Sequence, residues 1–174
     1  MSFRIPSSRL KRWSTSSVLH FLLALCSPAS LKTALEFRIA NARTSQLIDV
    51  RVQAILTKIE HVNGSTIRKF YELELERNRV VFFPLSWTVV HPITPESPMW
   101  GLKHADLMEA DAELLVLLIG TDENLSQIVH SRSSYEAGEI VWGAKFVNMF
   151  MRSETEGIIG MNLNRIHDTE PGTL

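Results

Sequence analysis

The stretch Ala112-Glu-Leu-Leu-Val-Leu-Leu-Ile-Gly120 decides the fold of this chain. It is a nearly continuous apolar run that ends at a glycine and is too short to cross a membrane. A run of this kind predicts a strand that is buried on both faces. The polar residues 120–124 predict a turn, and the mixed residues 125–135 predict a half-buried strand that returns beside the first. The tip of this hairpin carries Gly120, Thr121, Asp122, Glu123 and Asn124.

Alternation of apolar and polar residues predicts further strands on both sides of the hairpin. Residues 46–59 keep a period of two, which predicts one apolar and one polar face. The apolar face carries Ile48, Val50, Val52, Ala54 and Leu56, and the polar face carries Asp49, Arg51, Gln53 and Thr57. A turn signal at Asn63-Gly64 and several shorter apolar runs follow, and residues 104–112 predict one short helix. These patterns predict an all-β fold, a two-layer β-sandwich with one short helix.

Residues 1–33 differ from the rest of the chain in composition. They hold several basic residues, a Ser/Thr-rich segment and a short apolar run over 18–26. Because a transmembrane helix needs about 20 apolar residues, this run cannot span a bilayer. Together these features imitate a secretory signal. The residues before Cys26 also imitate a lipoprotein cleavage site, but Leu25 is too large for the position that precedes the cysteine in such a site. We predict an irregular or short-helical N-terminal leader over 1–33, a β-sandwich domain over 34–170 and a tail over 171–174.

Composition and motif spacing exclude several classes of function. The net charge is −1, so the chain carries no bulk field for nucleic acid or for an anionic membrane. The single cysteine, Cys26, excludes an internal disulfide and a multi-cysteine zinc site. The six histidines show no metal-ligand spacing, and neither a nucleophile-elbow motif nor a phosphate-binding glycine loop occurs. We therefore predict no enzyme activity, no cofactor and no metal site.

Sequence blocks spread over 35–170 resemble the cytoplasmic domain of inward rectifier potassium channels, including its bacterial branch. Two of them are Arg132-Ser-Ser-Tyr135 and Glu139-Ile-Val-Trp-Gly143. The others lie at 37–43, 46–53, 85–91, 96–101, 111–113 and 165–169. Each block is a weak signal alone, but their order and spacing agree with the family. The resemblance implies an immunoglobulin-like β-sandwich and a homotetramer whose copies surround an axis at the cytoplasmic face of the membrane.

The resemblance also implies roles for single residues. Asp49 matches an acidic position that faces the cytoplasmic vestibule, where a ring of carboxylates would concentrate cations and hold polyamines. The second vestibule acid of many relatives falls at Ile119 here, which argues against strong polyamine block. Residues 120–124 match the gating loop at the membrane end of the vestibule. The residues alone leave open that Asp49 is a solvated strand residue beside Arg51, and that 120–124 is an ordinary hairpin tip.

Two more side-chain roles are predicted, the first from the hairpin itself and the second from the resemblance. Glu123 and Arg132 stand on opposite arms of the hairpin, and we hypothesise that they pair across it and stiffen the loop. Arg43 matches a basic position near the family's lipid headgroup site, and it also fits a surface arginine at a strand end. The implied ligands are potassium ions that pass through the assembled channel, with anionic lipid or polyamine as candidate regulators.

The chain departs from the family in what it lacks. It has no apolar run of membrane length and no Thr-Val-Gly-Tyr-Gly-like filter, and a carbonyl-lined filter is what selects potassium. We therefore expect a cytoplasmic regulatory or gating domain that cannot conduct alone, with the pore-forming membrane segments missing from this chain. The alternative is a stand-alone β-sandwich module that binds another protein through an exposed edge. The oligomeric state separates the two, because a channel domain assembles as a fourfold ring.

Overall fold

The computed structural model describes residues 19–26, 33–41, 45–83, 85–152 and 159–172. Within these ranges the chain forms mainly antiparallel sheets and one short helix, α1 (His104–Glu109), which confirms the all-β prediction. Short 3-10 turns occupy Ala137–Glu139 and Leu163–Arg165. The strands are β1 (Leu19–Cys26), β2 (Ala34–Asn41), β3 (Leu47–Val62), β4 (Ser65–Glu72), β5 (Arg79–Phe82), β6 (Ser86–Pro92), β7 (Glu113–Asp122), β8 (Gln127–Glu136), β9 (Val141–Trp142), β10 (Ala144–Phe146), β11 (Phe150–Arg152), β12 (Ile159–Met161) and β13 (Thr169–Pro171).

Two sheets form the layers of the sandwich. The smaller sheet has the strand order β6-β2-β1-β9, and the larger has the order β4-β3-β7-β8 with β5 added beside β3. Side chains from both sheets meet in one hydrophobic core. Phe37 and Ile39 of the smaller sheet and Val50 and Val116 of the larger sheet are completely buried in it. Removal of these apolar side chains from water is the main force that holds the two layers together.

Strand β7 runs through the centre of the larger sheet, between β3 and β8. Its inward residues Leu114, Val116 and Leu118 belong to the core and are almost inaccessible to water. The alternate residues on its outer face are Leu115, Leu117 and Ile119, which are half-buried. Burial on both faces was predicted for this run, and the structure shows full burial on one face only. The described part of the chain places its second layer on that one face.

A β-bulge interrupts the alternation of β3. Ile48 pairs with Thr121 of β7 and Arg51 pairs with Ile119, so β3 contains one residue more than β7 over this interval. Asp49 lies in the bulge with a positive φ of 48°, a conformation that aspartate tolerates better than most residues. The bulge moves Ile48 to the half-buried outer face, where simple alternation would have buried it, and Leu47 takes the buried position.

The prediction of an irregular or short-helical leader is wrong for Leu19–Cys26, which form strand β1. This strand pairs antiparallel with β2 along its whole length and parallel with β9 at Ala24 and Leu25. A short apolar run suits a helix or a strand equally well by local pattern. Pairing with two strands that come from later in the chain decides for the strand. The rest of the predicted leader, residues 1–18 and 27–32, lies outside the described residues.

The C-terminal part of the described chain contains four short strands, β10 to β13. Strands β10 and β13 pair with each other, and so do β11 and β12. A small second core of Ala40, Met149 and Ile166 fixes this part against β2. Because Pro171 pairs with Ala144, the sheet continues one residue into the predicted tail over 171–174.

Candidate functional site

The candidate site lies on the outer face of the larger sheet, at the level of the bulge. Residues that stand opposite each other in neighbouring strands project from the same face of a sheet. One such row crosses four strands and consists of Arg79 on β5, Arg51 on β3, Ile119 on β7 and His130 on β8. The two arginines and the histidine are exposed, and Ile119 is half-buried.

A second row lies next to it, closer to the hairpin tip. It consists of Phe82, Ile48, Thr121 and Ile128 on the same four strands. Phe82 is 75% exposed and Ile128 is 68% exposed, although both are large apolar side chains. Exposed apolar side chains of this size, here at both ends of one row, mark a surface suited to contact with another molecule.

Asp49 is held between two arginines. Its Oδ1 accepts a hydrogen bond of 2.5 Å from Arg79 Nε, and its Oδ2 accepts one of 3.2 Å from Arg51 Nη2. The bond from Arg79 is the main reason that the pKa of Asp49 lies below its usual value, with a smaller contribution from Arg51. Both carboxylate oxygens are therefore engaged, and the three side chains together carry a net positive charge.

The hairpin tip is organised around Asp122, which is only 1% exposed. Its Oδ2 accepts a hydrogen bond of 2.7 Å from the Ser45 hydroxyl. Its Oδ1 accepts bonds of 3.1 Å and 3.2 Å from the backbone N–H groups of Asn124 and Leu125. The Glu123 N–H also donates to the Gln46 carbonyl at 3.0 Å. The tip is thereby tied to the residues that lead into β3.

The boundaries of the tip differ from the prediction. Strand β7 continues through Gly120 and Thr121 to Asp122, and the turn covers residues 123–126. Gly120 faces the bulge of β3, where an added Cβ would lie 3.0 Å from Val50 Cγ2. Glycine at this position therefore serves the close approach of two strands and lies outside the turn. Of the predicted gating-loop residues, only Glu123 and Asn124 belong to the turn itself.

The structure does not bring the predicted pair of Glu123 and Arg132 together. Arg132 stands opposite Leu117, whereas Glu123 follows Asp122, the last paired residue of β7. Six residues of extended chain from Leu117 to Glu123 correspond to about 20 Å. Both side chains are exposed, and no ion pair joins them within the part of the chain that the structure describes.

Asp49 and the hairpin tip, predicted separately, lie at the same end of the larger sheet, since Ile48 pairs with Thr121. Arg43, the predicted lipid contact, lies outside the described residues. Sequence reasoning missed Arg79, Ser45 and Gln46. Their roles depend on pairing between segments that are distant in sequence, such as β3 with β5, and no local pattern signals such pairing.

Two absences hold for the described residues. No group of three or more histidine, cysteine, aspartate or glutamate side chains in those ranges is placed to hold a metal ion. None of the helices found there is long and apolar enough to cross a membrane.

Comparison with known proteins gives a consistent family. A family model described as the inward rectifier potassium channel C-terminal domain matches residues 23–171. The chain is 36% identical over 155 residues to the inward rectifier potassium channel Kirbac3.1 of Paramagnetospirillum magnetotacticum, which covers 88% of this chain and 52% of that protein. The match begins within the predicted leader, inside β1.

Two vertebrate channels are similar at lower identity. The mouse G protein-activated inward rectifier potassium channel 2 is 27% identical over 146 residues, which is 79% of this chain and 33% of that protein. The chicken ATP-sensitive inward rectifier potassium channel 12 is 29% identical over 120 residues, which is 66% of this chain and 28% of that protein. The chain thus spans about half or less of the length of the curated relatives it matches.

Proposed function

This chain belongs to the inward rectifier potassium channel C-terminal domain family, and we propose on this premise that it is the cytoplasmic regulatory domain of a potassium channel. In the proposed assembly, four copies surround one axis and extend the ion path on the cytoplasmic side of a pore. The 174 residues contain no selectivity filter, so conduction is proposed only for an assembly that includes one. The family is a channel domain and not a class of enzymes.

The anchored hairpin tip is the observation that carries the regulatory part of the proposal. A loop that gates a pore has to hold a defined shape and respond to movement of the domain below it. The buried Asp122 satisfies the first requirement, because it fixes the backbone of the turn at Asn124 and Leu125. The hydrogen bond between Asp122 and Ser45 meets the second requirement, because this bond transmits displacement of the segment before β3 to the tip.

The vestibule part of the proposal rests on Asp49. We propose that Asp49 faces the common axis, at the end of the sheet that carries the tip. Its charge is already compensated by Arg51 and Arg79, and Ile119 stands in the same region of the outer face. These features support a vestibule with little affinity for polyamines. Arg43 remains the proposed contact for anionic lipid headgroups.

The alternative function, a stand-alone interaction module, has one observation in its favour. Strand β5 pairs only with β3 among the described strands, and its residues Val81 and Phe82 are 57% and 75% exposed. An exposed apolar edge strand can pair with an extended segment of another protein. In the channel proposal the same side chains contact a neighbouring copy of this chain.

Sedimentation of the full chain over a wide concentration range tests the assembly. The channel function predicts a tetramer that becomes dominant as concentration rises. A monomer at every concentration, together with failure to assemble when joined to the membrane segments of the bacterial relative, contradicts it and leaves the interaction module as the better description.

Potassium flux through liposomes that contain the joined protein tests the gating role. Asp122→Ala should alter flux, because the tip loses its anchor to Ser45. Glu109→Ala is the matched control, since it removes the same charge at an exposed position of α1, away from the tip. Equal flux through the two variants and the unmodified protein would contradict a gating role for the tip.

A further inference from the structure

We propose that the outer face of the larger sheet, around Arg51 and Arg79, binds a soluble anion that carries several phosphate groups, and that Asp49 orients these arginines instead of binding cations. The site is built by one chain, so its existence does not depend on the proposed channel function. Only its repetition around an axis rests on that function. A phosphate-bearing anion is the opposite of the cationic ligand that the acidic residue at position 49 implies.

The first support is the geometry of the two arginines. Arg51 engages Asp49 through Nη2 alone, and Arg79 engages it through Nε alone. A guanidinium has five N–H donors, so each arginine keeps further donors, and these make no hydrogen bond to the described residues. The side chains are 58% and 53% exposed, respectively, which leaves the donors open to solvent. Guanidinium groups bind phosphate oxygens in pairs, with more directional strength than lysine.

The second support is the orientation that Asp49 imposes. The bulge and the positive φ of 48° turn Asp49 out of the regular ladder. Each oxygen of the carboxylate then holds one arginine, so the two guanidinium groups are fixed beside one another. Binding of a ligand therefore costs little side-chain conformational entropy. A cation at the same place would meet a carboxylate whose charge two guanidinium groups already offset. The local charge favours an anion, because two guanidinium groups stand against one carboxylate.

The third support is the presence of further hydrogen-bond donors on the surrounding face. His130 continues the row of Arg79 and Arg51 across β7, and Arg132 lies one row further, opposite Leu117. Both are exposed. With strands about 4.8 Å apart, the row from Arg79 to His130 spans about 14 Å, which suits a chain of phosphates better than a single one.

Two acidic side chains of the same face, Glu72 and Glu136, lie toward the other end of the strands. Glu72 stands in the row of Leu115, and Glu136 stands opposite Glu113. The four-residue distance from Ile119 to Leu115 is about 13 Å, which exceeds the screening length of about 8–10 Å at physiological salt. Glu72 and Glu136 therefore offset the charge of the basic part of the face only weakly. Glu74 lies nearer, in a groove lined by Gln53 and Asn78. The arginines Arg51, Arg79 and Arg132 still outnumber the nearby carboxylates of Asp49 and Glu74.

Titration of the full chain with tripolyphosphate, followed by calorimetry at low salt, tests the site. The double variant Arg51→Gln/Arg79→Gln should bind at least tenfold more weakly. The matched control is Lys145→Gln/Arg165→Gln, which removes the same charge from two side chains that also pair with carboxylates, Glu170 and Asp168. The control should change affinity less than twofold. Equal losses in both double variants, or no binding by the unmodified chain, would overturn the proposal.

Asp49→Asn tests the orienting role. If charge alone determines affinity, loss of the carboxylate strengthens tripolyphosphate binding, because one negative charge is removed. If Asp49 orients the arginines, affinity falls by severalfold despite the gain in positive charge. An increase in affinity overturns the orienting role of Asp49.

Two further measurements complete the test. Vesicle binding distinguishes a lipid headgroup from a soluble anion, and the oligomeric state distinguishes this anion site from the proposed channel function. Vesicles of phosphatidylcholine with phosphatidic acid present the same group on a membrane, and binding to them without binding to tripolyphosphate overturns the soluble-anion assignment. A monomeric chain that binds tripolyphosphate contradicts the channel assembly but supports this site. A tetramer that fails to bind it overturns this site alone.

Discussion

The buried carboxylate of Asp122 and the hydroxyl of Ser45 are joined by a hydrogen bond of 2.7 Å across 77 residues of chain. This bond connects the end of β7 with the residues before β3, two strands that pair in the larger sheet. The same carboxylate also accepts two backbone N–H groups of the turn. The hairpin tip is therefore a fixed extension of the sheet, and its shape depends on one side chain.

Replacement of Asp122 by alanine should lower the free energy of unfolding by about 2–3 kcal/mol, because the Ser45 hydroxyl and two turn N–H groups lose their acceptor in a buried place. Urea denaturation measures this change. Glu123→Ala, one residue further and exposed, should stay within about 0.5 kcal/mol. Similar losses in the two variants would show that Asp122 does not organise the tip.

Replacement of Gly120 by alanine should destabilise the domain by about 1–3 kcal/mol through overpacking, since the new Cβ meets Val50 Cγ2 at 3.0 Å. Thermal unfolding reports the loss. Gly138→Ala is the control, because its Cβ would lie at an ordinary 3.7 Å from Met108 Sδ. The double variant Gly120→Ala/Val50→Ala should lose less stability than the sum of the losses in the two single variants. Strict additivity would rule out the contact.

The pKa of Asp49 should rise when either arginine partner is removed, and more in Arg79→Gln than in Arg51→Gln, because the bond from Arg79 is the larger cause of its low value. The folded-state pKa is depressed, so the stabilisation is present above the unfolded-state pKa and is lost as pH falls from about 4 through the folded value. Carboxyl NMR titration measures it. An unchanged midpoint in both variants would contradict the arginine clamp.

Protonation of His91 should unfold the sandwich edge at mildly acidic pH. This side chain is 2% exposed, with Nδ1 at 2.6 Å from the Glu74 carbonyl and Nε2 at 2.8 Å from Ser97 Oγ. The carbonyl can only accept, so Nδ1 donates to it and Nε2 accepts from the serine hydroxyl. Burial lowers the pKa of His91 and keeps the ring neutral in the folded state.

The unfolded chain therefore binds a proton that the folded chain excludes, and stability falls as pH drops below the unfolded-state value of about 6.5. Urea unfolding at pH 7.5 and pH 5.5 measures the effect. A chain with His91→Gln should lose less stability between these two values, whereas His130→Gln, at an exposed position, should behave like the unmodified chain. If His91→Gln shows the full pH dependence, another group is responsible.

Local patterns in the sequence predict much of the sheet structure. The period-two run predicts β3, the apolar run ending at Gly120 predicts β7, the mixed run after it predicts β8, and the short helix lies within its predicted range. Alternation succeeds there because a half-buried strand imposes it residue by residue. It fails at Ile48, where the bulge shifts the pattern by one place, and at Leu19–Cys26, where a short apolar run has no periodicity that separates strand from helix.

The sequence by itself determined the all-β class and the family, and it pointed to Asp49 and residues 120–124 as candidate functional residues. Each of these depends on residue type and order along the chain. Only the tertiary structure decided that Asp49 is clamped by Arg79, that Asp122 is buried against Ser45 and that Arg132 lies far from Glu123. These contacts join segments from distant parts of the chain, and their register follows from strand pairing and burial across the whole sheet.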